Sequence, residues 1–285
     1  MARRSFMDGT VLVTGAGGGL GREIALRFAR AGARIVALDK YVGGLDSLRA
    51  EIERTGGQCV ALRCDVTDAD ACARAVATGV ERFGRLDVLV NNAGISQRSG
   101  FAVTDLAVIR RVMDVNFYGA VHCTKAALPH LLAARGLIVA VSSVAGYTPL
   151  IARTGYAASK HALHGFFESL RTEIAPQGVG VMMVCPSFIA THIDRNAIGG
   201  DGLPVRHAQV TAGGRLAPES VADRIFEGAV QNRRLLLIGR TAWAAWWISR
   251  LAPSLYEKLM ARRLSGELES DAAMHRTDPD RKPRP

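Results

Sequence analysis

Cysteine is scarce in this chain and follows no pattern: Cys59, Cys64, Cys72, Cys123 and Cys185 are odd in number and contain no Cys-x-x-Cys pair. That excludes a disulfide framework and a zinc site, and leaves all five as reduced, small apolar residues of a cytoplasmic protein. Lysine is scarce as well, five residues against 31 arginines within a net charge of +10. Such a bias follows genome composition as readily as function, and no nucleic-acid-binding motif accompanies it, so no nucleic-acid partner is expected. The first ten residues hold Arg3, Arg4 and Asp8 and no apolar run. No secretory signal is expected there, since one needs about 7–15 apolar residues in succession.

What the chain does have is enough apolar material for a large core: 285 residues, 48% hydrophobic and 22% charged. Thr10 to Thr14 reads as a short apolar strand, followed at once by Gly15-Ala-Gly-Gly-Gly19-Leu20-Gly21 and then by helical periodicity to Ala31. Strand, glycine turn and helix in that order form a site where backbone amides at a helix N-terminus meet a pyrophosphate. The next strand, Ala33 to Leu38, ends in Asp39, about 20 residues beyond the glycines, where a carboxylate accepts the ribose hydroxyls of a dinucleotide. A carboxylate there repels a 2′-phosphate. NAD is therefore expected over NADP, although Lys40 partly offsets the repulsion.

The alternation of strand and helix continues through Gln58 to Leu62, a helix capped by Thr67 or Asp68, and a fourth strand at Leu86 to Val90. Asp65-Val66 leaves a strand end on the ligand side of such a sheet, and the fourth strand runs into Asn91-Asn92-Ala93-Gly94. A long helix over Leu106 to Ala134 carries Asn116, an amide poorly placed inside a helix unless it has a partner or the helix is distorted. The fold class expected is α/β: a Rossmann-type, doubly wound parallel sheet of about seven strands with helices on both faces.

Chemistry concentrates after the fifth strand, Gly136 to Val141. Tyr156 and Lys160 stand four apart at the start of a helix, so both project from one face. An ammonium near a phenol favours the phenolate and fits Tyr156 for proton exchange with an alcohol or carbonyl. Ser143, at the strand end, can donate a hydrogen bond to the same substrate oxygen.

Together these residues resemble the short-chain dehydrogenase/reductase family over about residues 9–240. Thr14-Gly-Ala-Gly-Gly-Gly-Leu-Gly21 matches the family's Thr-Gly-x-x-x-Gly-x-Gly, and Asn91-Asn-Ala-Gly94, Asn116, Ser143 and Tyr156-x-x-x-Lys160 follow in the family's order. The resemblance implies a catalytic tetrad of Asn116, Ser143, Tyr156 and Lys160, in which Asn116 holds a water linking Lys160 to solvent. It further implies that Gly15, Gly19, Leu20 and Gly21 cradle the cofactor, that Asp65 and Val66 meet its adenine, and that Asn92 and Gly94 line it. Lys160 would bind the nicotinamide ribose, and Ile189 and Thr191 the carboxamide. Cys185-Pro186-Ser187 departs from the family's Pro-Gly just before those last two residues. Hydride transfer between NAD and a secondary alcohol or ketone is the implied activity, in a homodimer or homotetramer. A non-catalytic nucleotide sensor or an interaction protein on the same fold is the alternative.

Residues 1–240 are thus expected as one catalytic domain, with a loop at 188–214 that is either a lid with an apolar inner side (Ile189, Ile193, Ile198, Leu203, Val205, Val210) or a mobile surface segment. Residues 241–264 are expected as an apolar and basic helical extension, and 265–285 as a disordered polar tail. Trp243, Trp246 and Trp247 share one face at helical spacing, and Pro253 ends or kinks the helix. Only nine residues separate Arg240 from Arg250, too few to span a bilayer. Such a face either packs on its own core, pocket or subunit interface, or lies on an anionic membrane from which a lipophilic alcohol or ketone is drawn.

Overall fold

The computed structural model describes residues 3–191, 197–205, 211 and 213–277. Seven parallel strands form one sheet: β1 (Thr10–Thr14), β2 (Arg34–Asp39), β3 (Cys59–Arg63), β4 (Val88–Asn91), β5 (Leu137–Val141), β6 (Gly180–Pro186) and β7 (Leu235–Ile238), in the order β3-β2-β1-β4-β5-β6-β7. Strand order reverses between β1 and β4, and in such sheets ligands bind at that crevice, beyond the carboxyl ends. Helices α1 (Gly19–Ala29), α2 (Val42–Arg54) and α3 (Ala69–Phe83) join the first strands. Asp68 caps α3, its carboxylate accepting from the Ala71 N–H at 3.0 Å.

The inner strands are buried on both faces, which is why they read as unbroken apolar runs. Val11 and Val13 of β1 point into one core with Ile24 and Phe28 of α1. Leu12 points into the other, with Val76 of α3 and Phe167.

From β4 the chain passes through α4 (Leu106–Met113), a π-helical turn at Asp114–Tyr118 and α5 (Gly119–Ala134). The single helix expected over 106–134 is thus interrupted around Asn116. A helix α6 (Thr154–Ile174) follows β5, and α7 (Pro218–Val230) lies between β6 and β7. Of the loop between β6 and α7, Ile193 and Val210 lie outside the described residues.

Beyond β7, α8 (Arg240–Leu251) gives way at Ala252 to α9 (Pro253–Thr277), with Pro253 as the first residue of the new helix. Two expectations are corrected here. Residues 265–277 are not a disordered tail but continue α9. Leu264 and Glu267 are buried, and the Glu267 carboxylate pairs with Arg98 at 3.1 Å and Arg153 at 3.8 Å. Polar composition signals disorder only when the polar groups face water, and this one has partners. The tryptophans also divide. Trp246 turns inward against Tyr147, ring centroids 4.9 Å apart, whereas Trp243 and Trp247 are about half exposed. Residues four apart align on a helix; one three apart is offset by about 60°, and here that offset points to the core.

Candidate active site

A cavity of about 1020 Å³ opens at the carboxyl ends of the strands, at the upper limit of the roughly 300–1,000 Å³ of ligand pockets. One end is formed by the glycine turn. Gly15 and Gly19 have φ of +66° and +52°, a region costly for other residues. Gly17, Gly18 and Leu20 line the cavity with them, whereas Gly21 lies beneath, where a Cβ would collide with the Gly15 carbonyl. Asn92 braces this turn from β4, its Nδ2 donating to the Thr14 carbonyl at 2.9 Å. Thr14 Oγ1 in turn accepts from the Asn92 and Ala93 N–H groups at 2.9 and 3.0 Å.

Asp39 closes that end. Its carboxylate accepts from the Gly17 N–H at 2.9 Å and the Tyr41 N–H at 3.0 Å. The two cations nearest in sequence to a 2′-phosphate are engaged elsewhere: Lys40 Nζ lies 2.7 Å from Asp65, and Arg22 lies 2.6 Å from Glu51. The Asp65 carboxyl is held below the usual range by its bonds to Lys40 and Thr67, which outweigh the opposing effect of burial. Asp65 and Val66 do not line the cavity. Val66 is buried, its carbonyl 3.0 Å from His122 Nδ1.

At the middle of the cavity stand Ser143, Tyr156 and Lys160. Ser143 stands two residues beyond β5 and caps a short turn, its Oγ accepting from the Ala145 N–H at 3.2 Å. Tyr156 is half-buried, and Lys160 Nζ lies 5.7 Å from its ring centroid. Lys160 is buried and donates to the Val141 carbonyl at 3.0 Å. Burial pulls its ammonium down to about 8, since a charge is costly away from water.

Asn116 stands behind this group, off the cavity wall. Its Nδ2 donates to the Ile95 carbonyl at 3.0 Å and to Ser159 Oγ at 2.9 Å, while Oδ1 accepts from the Ile95 N–H at 2.8 Å. Both amide protons are spent, so a water at this side chain has only the second lone pair of Oδ1 to bind. A Cβ at Gly94 would lie 3.1 Å from Asn116 Oδ1 and 3.7 Å from Lys160 Nζ, so Gly94 is the thin partition between cavity and amide. Ile189 and Thr191 line the same cavity, and Ser187 extends the sheet by donating to the Ile238 carbonyl at 3.0 Å.

The remaining wall of the cavity is largely apolar, with Arg111, Arg153 and Arg263 among its residues; the sequence pointed to Ile198 and to the segment after β7, but not to the residues of α9 that complete it. Leu150, Ile198, Ile248, Tyr256, Met260 and Leu264 line it, four of them from α8 and α9. The spacing of 256, 260 and 264 was the available signal.

Residues 9–199 match the model of the short chain dehydrogenase family. The chain belongs to the short-chain dehydrogenase/reductase family. It is 37% identical over 269 residues to dehydrogenase/reductase SDR family member 7B of Xenopus tropicalis, covering 91% of this chain and 87% of that one. A second relative, dehydrogenase/reductase SDR family protein 7-like of Anopheles gambiae, is 34% identical over 260 residues, covering 89% and 82%. The crystal structure of a short chain dehydrogenase/reductase from Burkholderia phymatum in complex with NAD superposes with a TM-score of 0.79 at 25% identity, over 88% of this chain and 96% of that one. As a short-chain dehydrogenase/reductase the chain is an oxidoreductase with the Rossmann-type fold. The similarity extends past the family model into the region of α8 and α9, since the Xenopus alignment takes in nine-tenths of the chain.

Proposed function

We propose that this oxidoreductase interconverts a lipophilic secondary alcohol and its ketone, with NAD(H) as the partner and Tyr156 as the acid/base. The observation that carries this reading is the presence of Ser143, Tyr156 and Lys160 on one cavity whose other end holds the glycine turn and Asp39. The residues fit a dinucleotide: the turn is open where Gly17 and Gly18 line it, and no side chain lies within 4 Å of a Cβ at Gly18. Gly15, Gly17, Gly19 and Leu20 would hold the pyrophosphate end, Asp39 the adenosine ribose, and Ile189 and Thr191 the nicotinamide. When bound, NAD(H) supplies or takes the hydride.

This chain's residues manage the proton and the geometry. Tyr156 gives its phenolic proton to the substrate oxygen in reduction and takes it back in oxidation. Ser143 Oγ donates to that oxygen and fixes its position. Lys160, charged below a pKa of about 8, favours the phenolate that Tyr156 becomes. Asn116 holds the Ile95 backbone and Ser159 in place beside them.

The apolar far wall supports a lipophilic substrate. On the outer side of α8, Trp243, Trp247 and Leu251 recur at four-residue spacing and are exposed, with Arg240 and Arg250 on the same helix. We infer that this face rests on an anionic membrane surface. Among the described residues no helix is long and apolar enough to cross a membrane. Turnover of a panel of secondary alcohols and ketones, followed at the nicotinamide absorption band, tests the activity.

A further inference from the structure

Helix α9 crosses the substrate end of the cavity and is tied down at two points. Tyr256, Met260, Leu264 and Glu267 recur at spacings of four, four and three, so they share one face. That face turns inward: Tyr256, Met260 and Leu264 line the cavity, and Leu264 and Glu267 are almost wholly buried, at 3% and 2% exposure. Near the start of the helix, Tyr256 Oη donates to Thr148 Oγ1 at 3.0 Å. Eleven residues later, about 16 Å along the axis, the Glu267 carboxylate accepts from Arg98 Nε at 3.3 Å and Nη2 at 3.1 Å, with Arg153 Nη2 at 3.8 Å.

The groups that receive these ties sit on the catalytic segments. Thr148 follows Ser143 by five residues, Arg153 precedes Tyr156 by three, and Arg98 follows Gly94 by four. Arg98 and Arg153 are themselves 2% and 4% exposed. Arg153 reaches the Gln97 carbonyl at 3.5 Å. A carboxylate taken this far from water is held in place by its partners, because either charge left alone there is costly. Two guanidiniums from different loops and one carboxylate from the far end of the chain therefore fix one position of the helix.

We propose that Glu267 is a positioning residue: through Arg98 and Arg153 it straps α9 across the cavity, and so sets how well the site holds a long apolar substrate. Glu267 touches neither the substrate nor the proton. Its effect is on the wall formed by Met260 and Leu264, at the end of the cavity away from Asp39. A small ketone that reaches Tyr156 without touching that wall is indifferent to it. This inference rests on the proposed alcohol/ketone activity, and the test separates the two.

Full-length Glu267→Ala and Glu267→Asp proteins are compared with wild type in two measurements. Hydrogen exchange of residues 253–268, without substrate, reads the strap; kinetics with NADH and either a four-carbon or a twelve-carbon methyl ketone read its consequence. Expected in Glu267→Ala are faster exchange across the helix and a KM for the long ketone raised about tenfold, a clearly larger change than for the short ketone, with Glu267→Asp intermediate. Should Glu267→Ala fail to fold, Tyr256→Phe loosens the other tie and is expected to raise exchange and the long-ketone KM in the same sense. Unchanged exchange overturns the proposal, as does equal loss on both ketones. A wild type that turns over neither ketone overturns the proposed activity instead, and the exchange measurement then decides alone whether Glu267 holds the helix.

Discussion

Lys160 Nζ lies 5.7 Å from the centroid of the Tyr156 ring, yet its hydrogen bond goes to the Val141 carbonyl, 3.0 Å away. The ammonium is thus held by the end of β5 and acts on the phenol as a nearby charge. Burial lowers its pKa to about 8 from the ordinary 10.5. The folded state binds this proton less tightly than the unfolded chain does, so the lysine costs stability at neutral pH, and that cost fades as pH rises from 8 towards 10.5.

Lys160→Met is accordingly expected to cut turnover by about 10²-fold or more while raising the melting temperature. A shift of this size corresponds to about 3 kcal/mol, or about 5 °C for a chain of this length. Melts of both proteins at pH 7 and pH 10 check this: the gain should be largest at pH 7 and shrink at pH 10. A variant that is less stable than wild type at pH 7 contradicts the buried-charge account.

Cofactor choice turns on Asp39, because Lys40 and Arg22 are neutralised by Asp65 and Glu51. Wild type should show a higher kcat/KM with NAD than with NADP, and Asp39→Ala should narrow that ratio. Preference for NADP in the wild type would mean that Lys40 leaves Asp65 for the phosphate. Asp65→Asn, which frees Lys40, should shift the ratio towards NADP.

Trp243 and Trp247 are about half exposed on α8, whereas Trp246 is covered by Tyr147 and Arg250. Sedimentation with anionic vesicles at low salt should carry the protein down, and high salt should release it. Replacing Trp243 and Trp247 by serine should abolish sedimentation without lowering the melting temperature. Protein that stays in the supernatant at both salt concentrations rules out the membrane contact.

The parts of this molecule written in local sequence were legible from it. A strand, a glycine turn and a helix are neighbours in the chain, and so are Tyr156 and Lys160, so spacing alone places their groups. Asn116 could be flagged as an amide in need of partners or a distorted helix, but no local pattern names the partners it finds, Ile95 and Ser159, or the π-helical form of the turn. Lys40 was expected to offset part of the repulsion at Asp39 because it follows Asp39 directly in the sequence. Its actual partner, Asp65, follows β3, which lies beside β2 in the sheet. Glu267 was hidden for the same reason: it sits in a polar stretch, and its partner Arg98 is 169 residues away. Charge pairing across the fold converts residues that composition counts as solvent-facing into buried ones.

The central claim, that Tyr156 moves the proton, is tested most directly by Tyr156→Phe, which removes one hydroxyl and almost no surface. NADH affinity by calorimetry and turnover of the best ketone found in the panel are measured on the same preparation. The account predicts turnover reduced by about 10²–10⁴-fold with the NADH dissociation constant unchanged. Turnover within tenfold of wild type, with NADH binding intact, would contradict it.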